Sequence, residues 1–170
     1  YNSTHADITL SDIFGHHMVV QAGKPVHIWG KADPGETVTV KFDQLTATAT
    51  AGTDGKWSVQ FPAQKAGGPY TIDIAGRNNI RLADVLVGEV WICSGQSNMA
   101  WLVKAAKDFD QESAAATLPL IRHFKVELKP SEKPEDTLNG TWAACSPQTV
   151  GDFSATGYFF GRELHKALGV

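Results

Sequence analysis

Hydrophobic and polar residues alternate along the first half of the chain, in short runs separated by turn residues. The runs lie at residues 8–10, 18–20, 26–31, 37–42, 45–50, 56–61, 70–74 and 80–82. A period of two is typical of β-strands that bury one face and leave the other in water. Because no helical pattern separates these runs, we predict an antiparallel β-sandwich domain, Ig-like or jelly-roll-like, over residues 1–86.

One of the turns carries a hairpin signal. Asp54-Gly55 stands between two alternating runs, and an Asp-Gly pair favours the two-residue turn of a β-hairpin. We therefore expect the strands before and after this turn to pair with each other.

The pattern changes in the second half of the chain. Residues 84–93 form a denser apolar run, which fits a strand buried on both faces of a parallel sheet. Residues 121–126 predict another short strand. Two strands and one helix cannot cover both faces of such a sheet. We therefore expect residues 87–170 to be the first part of an α/β domain, completed by a second chain or by a further C-terminal part.

The last segment of the chain has apolar residues at helical spacing. Asp152 or Ser154 can cap this helix at its start, and Gly169 can end it in a left-handed conformation. Gly157 and Gly161 lie on its apolar face and would let the helix approach a sheet closely.

Composition and charge narrow the classes of function. The 170 residues include 15 Lys and Arg against 18 Asp and Glu, a net charge of −3. A nucleic-acid partner is not expected, because such proteins need clustered basic residues. No apolar run approaches the roughly 20 residues that span a bilayer. The first residues lack a signal-peptide pattern, which leaves open a cytosolic protein or one whose signal has been removed. We expect the second, with an extracellular or periplasmic location.

The strongest candidate for chemistry is Gly95-Gln96-Ser97-Asn98, which directly follows the predicted buried strand. A serine in a strand-to-helix turn presents its hydroxyl beyond the sheet edge where α/β folds bind ligands. A helix beginning near Asn98 would supply N–H groups for an oxyanion. Gly95 would permit the turn and a close backbone approach, and Gln96 and Asn98 would flank Ser97 with amide donors. The alternative is a polar turn in which Ser97 only caps a helix.

Several stretches together resemble the sialate O-acetylesterase family, over nearly the whole chain. Those stretches are IFGHHMVVQ at residues 13–21, VHIWG at 26–30, ADPG at 32–35, DGKW at 54–57, VGEVWICSGQSNM at 87–99, CSP at 145–147, FSA at 153–155 and FFGREL at 159–164.

The resemblance implies an N-terminal β-sandwich followed by an SGNH-type hydrolase domain that removes O-acetyl groups from sugars. It identifies Ser97 as the nucleophile and its backbone N–H as part of the oxyanion hole. Gln96, Asn98 and Gly95 are the accompanying oxyanion or neighbouring candidates. The resemblance implies no metal and no cofactor. It also requires a later Asp-x-x-His segment, which the sequence does not contain.

None of the six histidines is expected to be the general base. They are His5, His16, His17, His27, His123 and His165. We assign the first four to the chain end or the sandwich, His123 to a strand and His165 to a solvated helix face. A serine without a base is a poor nucleophile at neutral pH, so this chain alone should be nearly inactive.

The remaining conspicuous residues have ordinary structural interpretations. Trp29, Trp57, Trp91 and Trp142 are expected in the core or at the sandwich interface. Trp101, four residues after Ser97, is either a core residue or the wall of an acyl or sugar pocket. Cys93 and Cys145 either form a disulfide or are two buried thiols.

Two functions from different classes remain. The first is a serine carbohydrate O-acetylesterase whose catalytic His and Asp come from outside this chain, with an O-acetylated sugar or polysaccharide as substrate. The second is a non-catalytic β-sandwich module that binds glycan or protein and carries a degenerate hydrolase segment. A sandwich that acts only as a spacer is compatible with the first function.

Overall fold

The computed structural model describes residues 6–135 and 137–170, and these residues contain ten β-strands and three α-helices, with more residues in strands than in helices. The ten strands are β1 (Thr9–Leu10), β2 (Val19–Gln21), β3 (Val26–Lys31), β4 (Thr37–Phe42), β5 (Leu45–Thr50), β6 (Lys56–Phe61), β7 (Gly67–Ala75), β8 (Asn79–Gly88), β9 (Arg122–Phe124) and β10 (Trp142–Ala144). The three α-helices are α1 (Ser97–Ala100), α2 (Phe109–Ala115) and α3 (Ala155–Leu168).

The first eight strands form two sheets, and every run predicted from the alternation is a strand. One sheet has the order β1-β3-β6, and the other has the order β2-β8-β7-β4-β5. The expectation of purely antiparallel strands is wrong at one edge, where β2 pairs with β8 in parallel and Val19 lies opposite Leu86. This pairing is possible because the long connection over residues 22–78 returns the chain to the same edge, whereas a hairpin would impose an antiparallel pair.

Buried side chains of both sheets meet in one apolar core. Burial alternates strictly along β3, β4 and β6, as their sequences predict. The fully or nearly buried members include Val26, Ile28, Val38, Val40, Phe42, Trp57, Val59, Phe61, Ile72, Ile74 and Val85. The rings of Phe42 and Phe61 meet edge to face with centroids 5.8 Å apart, and this contact joins the two sheets.

The hairpin predicted at Asp54-Gly55 is wrong. A tight turn is present there, with φ of 74° at Gly55, but β5 pairs with β4 whereas β6 pairs with β3. The turn carries the chain between the two sheets because the Gly55 carbonyl accepts a hydrogen bond from Ala32 at the end of β3, at 2.9 Å. The tight hairpin of this region joins β4 and β5.

The predicted strand over residues 84–93 is only half correct. Val85 and Val87 are buried in the sheet core, and β8 ends at Gly88. Beyond it the chain leaves the sheet, and the side chain of Ile92 is 93% exposed. The expectation of a strand buried on both faces is wrong for residues 89–93, because no neighbouring strand among the described residues pairs with them.

Two of the four tryptophans expected inside are exposed. Trp57 is buried, and Trp142 is half-buried against the same core. Trp29 is 45% and Trp91 57% exposed. Trp29 directly follows the buried Ile28 in β3. Because side chains alternate between the two faces of a strand, Trp29 lies on the solvent-exposed face.

A second, smaller apolar cluster forms beyond β8. Its buried members are Val103, Ala116, Cys145, Val150, Phe153, Ala155 and Tyr158. Helix α2, which the sequence pattern did not predict, packs Phe109 against this cluster.

The caps predicted for α3 are confirmed. Ser154 Oγ accepts a hydrogen bond from the Gly157 N–H at 3.3 Å, and Gly169 ends the helix with φ of 70°. The predicted apolar stripe is only partly covered, because Phe160 is 43% and Leu168 53% exposed.

An ion pair joins the two parts of the structure. Arg122 of β9 forms a bidentate contact with Asp84 of β8, Nη1 to Oδ2 at 2.7 Å and Nη2 to Oδ1 at 3.1 Å. The Arg122 side chain is only 3% exposed. Hydrogen bonding from Arg122 lowers the pKa of Asp84, and burial opposes this effect. His17, whose Nδ1 lies 2.6 Å from Asp84 Oδ2, also lowers the pKa.

A hydrogen bond provides a second link between the two parts. Trp142 Nε1 donates to the Ile13 carbonyl at 2.8 Å.

We expect Asp84→Asn to lower the free energy of unfolding at pH 7 by about 2 kcal/mol, because it leaves a buried guanidinium without its counter-charge. Asparagine keeps the left-handed conformation (φ of 57°) that Asp84 adopts. Because the pKa of Asp84 is lowered in the folded state, its contribution is present above the ordinary aspartate pKa and is lost as pH falls through the lower folded value. Urea unfolding should therefore show a difference from wild type that is largest at pH 7 and becomes smaller as pH is lowered below 4.

The matched control is Asp73→Asn. Asp73 Oδ1 lies 3.7 Å from Arg81 Nε, and both side chains are exposed. This change should alter the free energy of unfolding by less than about 1 kcal/mol. Equal losses from the two variants would contradict a special role for the Asp84–Arg122 pair.

Candidate functional site

The predicted site residues lie together in one exposed turn. The chain leaves β8 at Gly88, runs through residues 89–96 without pairing and enters α1 at Ser97. The N–H groups of Met99 and Ala100 both donate to the Gln96 carbonyl at 3.0 Å, which closes this single helical turn. Gly95, Gln96, Ser97 and Asn98 are exposed.

The hydroxyl of Ser97 has no structural role in the described residues. Gln96 occupies the N-cap position, and no side chain caps α1. Ser97 therefore does not act as a helix cap, which was the alternative interpretation of this motif. The predicted helix after Ser97 is present but lasts only four residues, so its dipole sums over few peptide units.

The close backbone approach expected at Gly95 is not seen among the described residues. Gly95 has φ of 157°, and a Cβ placed on it would lie 3.5 Å from Met99 Cβ, an ordinary contact. Trp101 is 56% exposed, and its Nε1 donates to the Ala105 carbonyl at 3.1 Å. Its place in a pocket wall stays a prediction.

The start of α3 holds the far side of the Ser97 turn, a contact that the sequence did not reveal. Ser154 Oγ donates to the Met99 carbonyl at 2.6 Å. Thr156 Oγ1 donates to the Asn98 carbonyl at 3.1 Å. The sequence predicted Ser154 as a helix cap, but that prediction did not include a second hydrogen bond from the same hydroxyl.

The unpaired segment before Ser97 packs on α3 with one side only. Trp91 meets Phe160 edge to face with ring centroids 5.2 Å apart. A Cβ on Gly157 would lie 3.5 Å from Cys93 Sγ, so the small residue does bring the helix near this segment. Gly161 has nothing within 4 Å of the same position. The side chain of Ile92, between Trp91 and Cys93, is exposed.

No histidine among the described residues hydrogen-bonds to Ser97, and His5 lies outside those residues. His16 Nδ1 accepts from the Ala83 N–H at 3.1 Å, and His17 binds Asp84. His27 is exposed on β3, and His165 Nδ1 lies 2.8 Å from the Val170 carbonyl oxygen.

His123 is in a strand, as predicted, and supports the start of α3. Its ring stacks on Phe153 with centroids 4.6 Å apart, and its Nε2 lies 3.5 Å from the Ser154 backbone N–H. Burial, followed by the charge of Lys125, lowers the pKa of His123. The neutral imidazole that results can accept the Ser154 N–H.

Both cysteines are free thiols. Cys93 is exposed, whereas Cys145 is 1% exposed and burial raises the pKa of its thiol. Within residues 6–135 and 137–170, no three His, Cys, Asp or Glu residues gather into a metal site. Nor does that part of the chain include a helix long and apolar enough to cross a membrane.

Comparison with known proteins decides the family. Sialate O-acetylesterase from Mus musculus is 34% identical over 161 residues, covering 83% of this chain and 30% of that protein. Sialate O-acetylesterase from Homo sapiens is 27% identical, covering 83% of this chain and 31% of that protein. A solved carbohydrate acetylesterase from Xanthomonas citri is 39% identical, with a TM-score of 0.94 over 96% of this chain.

The chain belongs to the sialate O-acetylesterase family. It spans about 30% of the length of the curated relatives and 38% of the solved acetylesterase. A scan against protein-family models finds no match.

We expect the stability of this family member to fall between pH 7 and pH 5 because of His123. The unfolded chain binds a proton near the ordinary histidine pKa of about 6.5, whereas the folded chain binds it only at lower pH. The contribution of His123 to stability is therefore fully present above the pKa of the unfolded chain. It is lost as pH drops toward the lower pKa of the folded chain. His123→Gln, which cannot titrate, should show a smaller fall in the free energy of unfolding over this range.

His27→Gln is the matched control, because His27 is exposed on β3. It should keep the wild-type dependence on pH in urea unfolding. If both variants behave like wild type, His123 does not link folding to protonation in this range.

Proposed function

We propose that the chain is part of a serine carbohydrate O-acetylesterase that hydrolyses acetyl esters on sugars. The observation that carries the proposal is the position of Ser97. Its side chain is exposed at the start of α1, directly after an unpaired apolar segment, and makes no hydrogen bond among the described residues. A nucleophile must be accessible in this way before a base and a substrate can reach it. Membership of the sialate O-acetylesterase family supports the same assignment.

In the proposed reaction, Ser97 Oγ attacks the acetyl carbonyl carbon, and a histidine outside this chain takes the hydroxyl proton. The oxyanion of the tetrahedral intermediate accepts a hydrogen bond from the Ser97 N–H, which has no intrahelical partner because it lies in the first turn of α1. The sugar hydroxyl leaves with the proton from the histidine. Water then attacks the acetyl-serine, and acetate is released. Gln96, Asn98 and Gly95 line the same turn.

The domain assignment follows from the same proposal. The predicted division places an N-terminal β-sandwich, of Ig-like or jelly-roll-like type, over residues 1–86, of which 1–5 lie outside the described residues, and the first part of an SGNH-type domain over residues 87–170. Because β8 continues to Gly88, we propose the boundary directly after that strand. The remainder of that domain supplies the histidine and its aspartate. The exposed apolar side chains of Val90, Trp91 and Ile92 support this division, because a segment of this composition is typical of a buried parallel strand. We propose an extracellular or periplasmic location for the whole protein.

In the complete protein, Ser97→Ala should reduce the kcat for acetyl-ester hydrolysis at least about 1,000-fold, because it removes the nucleophile. An organophosphonate should label the wild type at Ser97, as identified by peptide mass spectrometry, and should not label the variant. Ser94→Ala, an exposed serine three positions earlier in the same segment, is the matched control and should keep both properties. Hydrolysis that survives Ser97→Ala would exclude Ser97 as the nucleophile.

The binding-module function gives a different result in the same experiment. Such a protein would bind glycan, would not hydrolyse acetyl esters and would not be labelled at Ser97. This outcome would replace the esterase proposal.

The thiol of Cys93 can report whether further chain covers the unpaired segment. In the isolated 170-residue chain, we expect Cys93 to react rapidly with a disulfide reagent, because it is exposed. In the complete protein the reaction should be at least about tenfold slower, because a paired strand shields the thiol. Cys145, which is buried, should react slowly in both and shows that each sample is folded. Equal Cys93 rates would contradict the proposed covering of residues 89–93.

A further inference from the structure

Three backbone carbonyls directly after Ser97 accept hydrogen bonds from three donors at the start of α3. Thr156 Oγ1 donates to the Asn98 carbonyl at 3.1 Å, and Ser154 Oγ donates to the Met99 carbonyl at 2.6 Å. The third donor is the Ala155 N–H, which lies 2.7 Å from the Trp101 carbonyl. The start of one helix therefore holds the carbonyl end of the other.

Helix α1 has little else to hold its shape. It has four residues, no side-chain cap and no buried residue. Isolated helices of this length are not stable in water, and the carbonyls at a helix end have no partners within the helix. The orientation of the Ser97 side chain therefore depends on the hydrogen bonds that residues at the start of α3 make to the carbonyls after Ser97.

Ser154 is suited to this task because it is itself fixed. It is a buried polar residue, 9% exposed, and its hydroxyl accepts from the Gly157 N–H while it donates to Met99. One hydroxyl can do both, because it has one donor hydrogen and two acceptor lone pairs. The His123 ring stacks on Phe153, the residue directly before Ser154.

We propose that Ser154 and Thr156 are positioning residues, whose hydroxyls hold the Ser97 turn in the orientation that nucleophilic attack requires. This inference rests on the proposed function of Ser97. Neither residue is assigned contact with substrate. Their effect is on the geometry of the nucleophile, and displacement of a reacting group by about 1 Å can cost on the order of 100-fold in rate.

The test uses the complete protein and begins with Thr156→Val, which replaces the hydroxyl by a methyl group of similar shape at an exposed position. The kcat for acetyl-ester hydrolysis and the rate of organophosphonate labelling at Ser97 should both fall about tenfold, with KM unchanged. Thr156→Ser, which keeps the donor, should restore both rates. Thr46→Val, the same change at an exposed position of β5, is the matched control and should leave both rates unchanged.

Ser154→Ala should cause a larger loss, about 100-fold, because the buried donor to Met99 is removed. Since this change also removes the cap of α3, the folded state is checked by thermal unfolding, and Thr156→Val decides if Ser154→Ala does not fold. Wild-type rates in Thr156→Val, a rise in KM alone, or a loss that Thr156→Ser does not restore would each overturn the positioning role.

The proposed function fails separately. If Ser97→Ala keeps hydrolysis and labelling occurs elsewhere, Ser97 is not the nucleophile and the positioning role falls with it. If Ser97→Ala abolishes both activities while Thr156→Val keeps them, only the positioning role is overturned.

Discussion

The buried guanidinium of Arg122 is the constraint on which the rest of the structure depends. A charge that is only 3% exposed needs a partner, and the bidentate contact with Asp84 supplies one across the boundary between the two apolar clusters. Asp84 reaches it from a left-handed backbone position in β8, and His17 binds the same carboxylate from another left-handed position. A non-glycine residue rarely adopts this conformation, and aspartate and histidine tolerate it better than most. The large sheet and β9 are therefore held in one relative position.

Strand β9 also connects the Asp84–Arg122 ion pair to the Ser97 turn. His123 directly follows Arg122 in β9, and its ring stacks on Phe153, the residue before the cap of α3. Ser154 then bonds to the Met99 carbonyl within α1. Each step is a direct contact between packed or hydrogen-bonded groups. A series of direct contacts thus links the large sheet to α1, a four-residue helix with no side-chain cap and no buried residue of its own.

Local pattern predicted the strands well and the pairing between them poorly. Alternation along β3, β4 and β6 reflects burial on one face, a property of each strand alone. The turn at Asp54-Gly55 carries the same local signal as a hairpin, but the bond from Ala32 to Gly55 directs the chain into the other sheet. The caps Ser154 and Gly169 were predictable because capping depends on one or two residues. The hydrogen bonds from α3 to α1 were not, because they join residues more than 50 positions apart.

The candidate site shows how orientation and activation of a serine can be divided between parts of a protein. Within the described residues, the turn around Ser97 is supported on its carbonyl side and is open on its hydroxyl side. The carbonyl contacts hold the backbone on either side of that turn, but they do not lower the energy of removing the hydroxyl proton, since no imidazole among the described residues bonds to Ser97. If Ser97 is the nucleophile, as we propose, its base must approach from the open side, and the segment before Ser97 also leaves the side chains of Trp91 and Ile92 exposed. The further part of the protein that brings the base to Ser97 would then also cover those side chains.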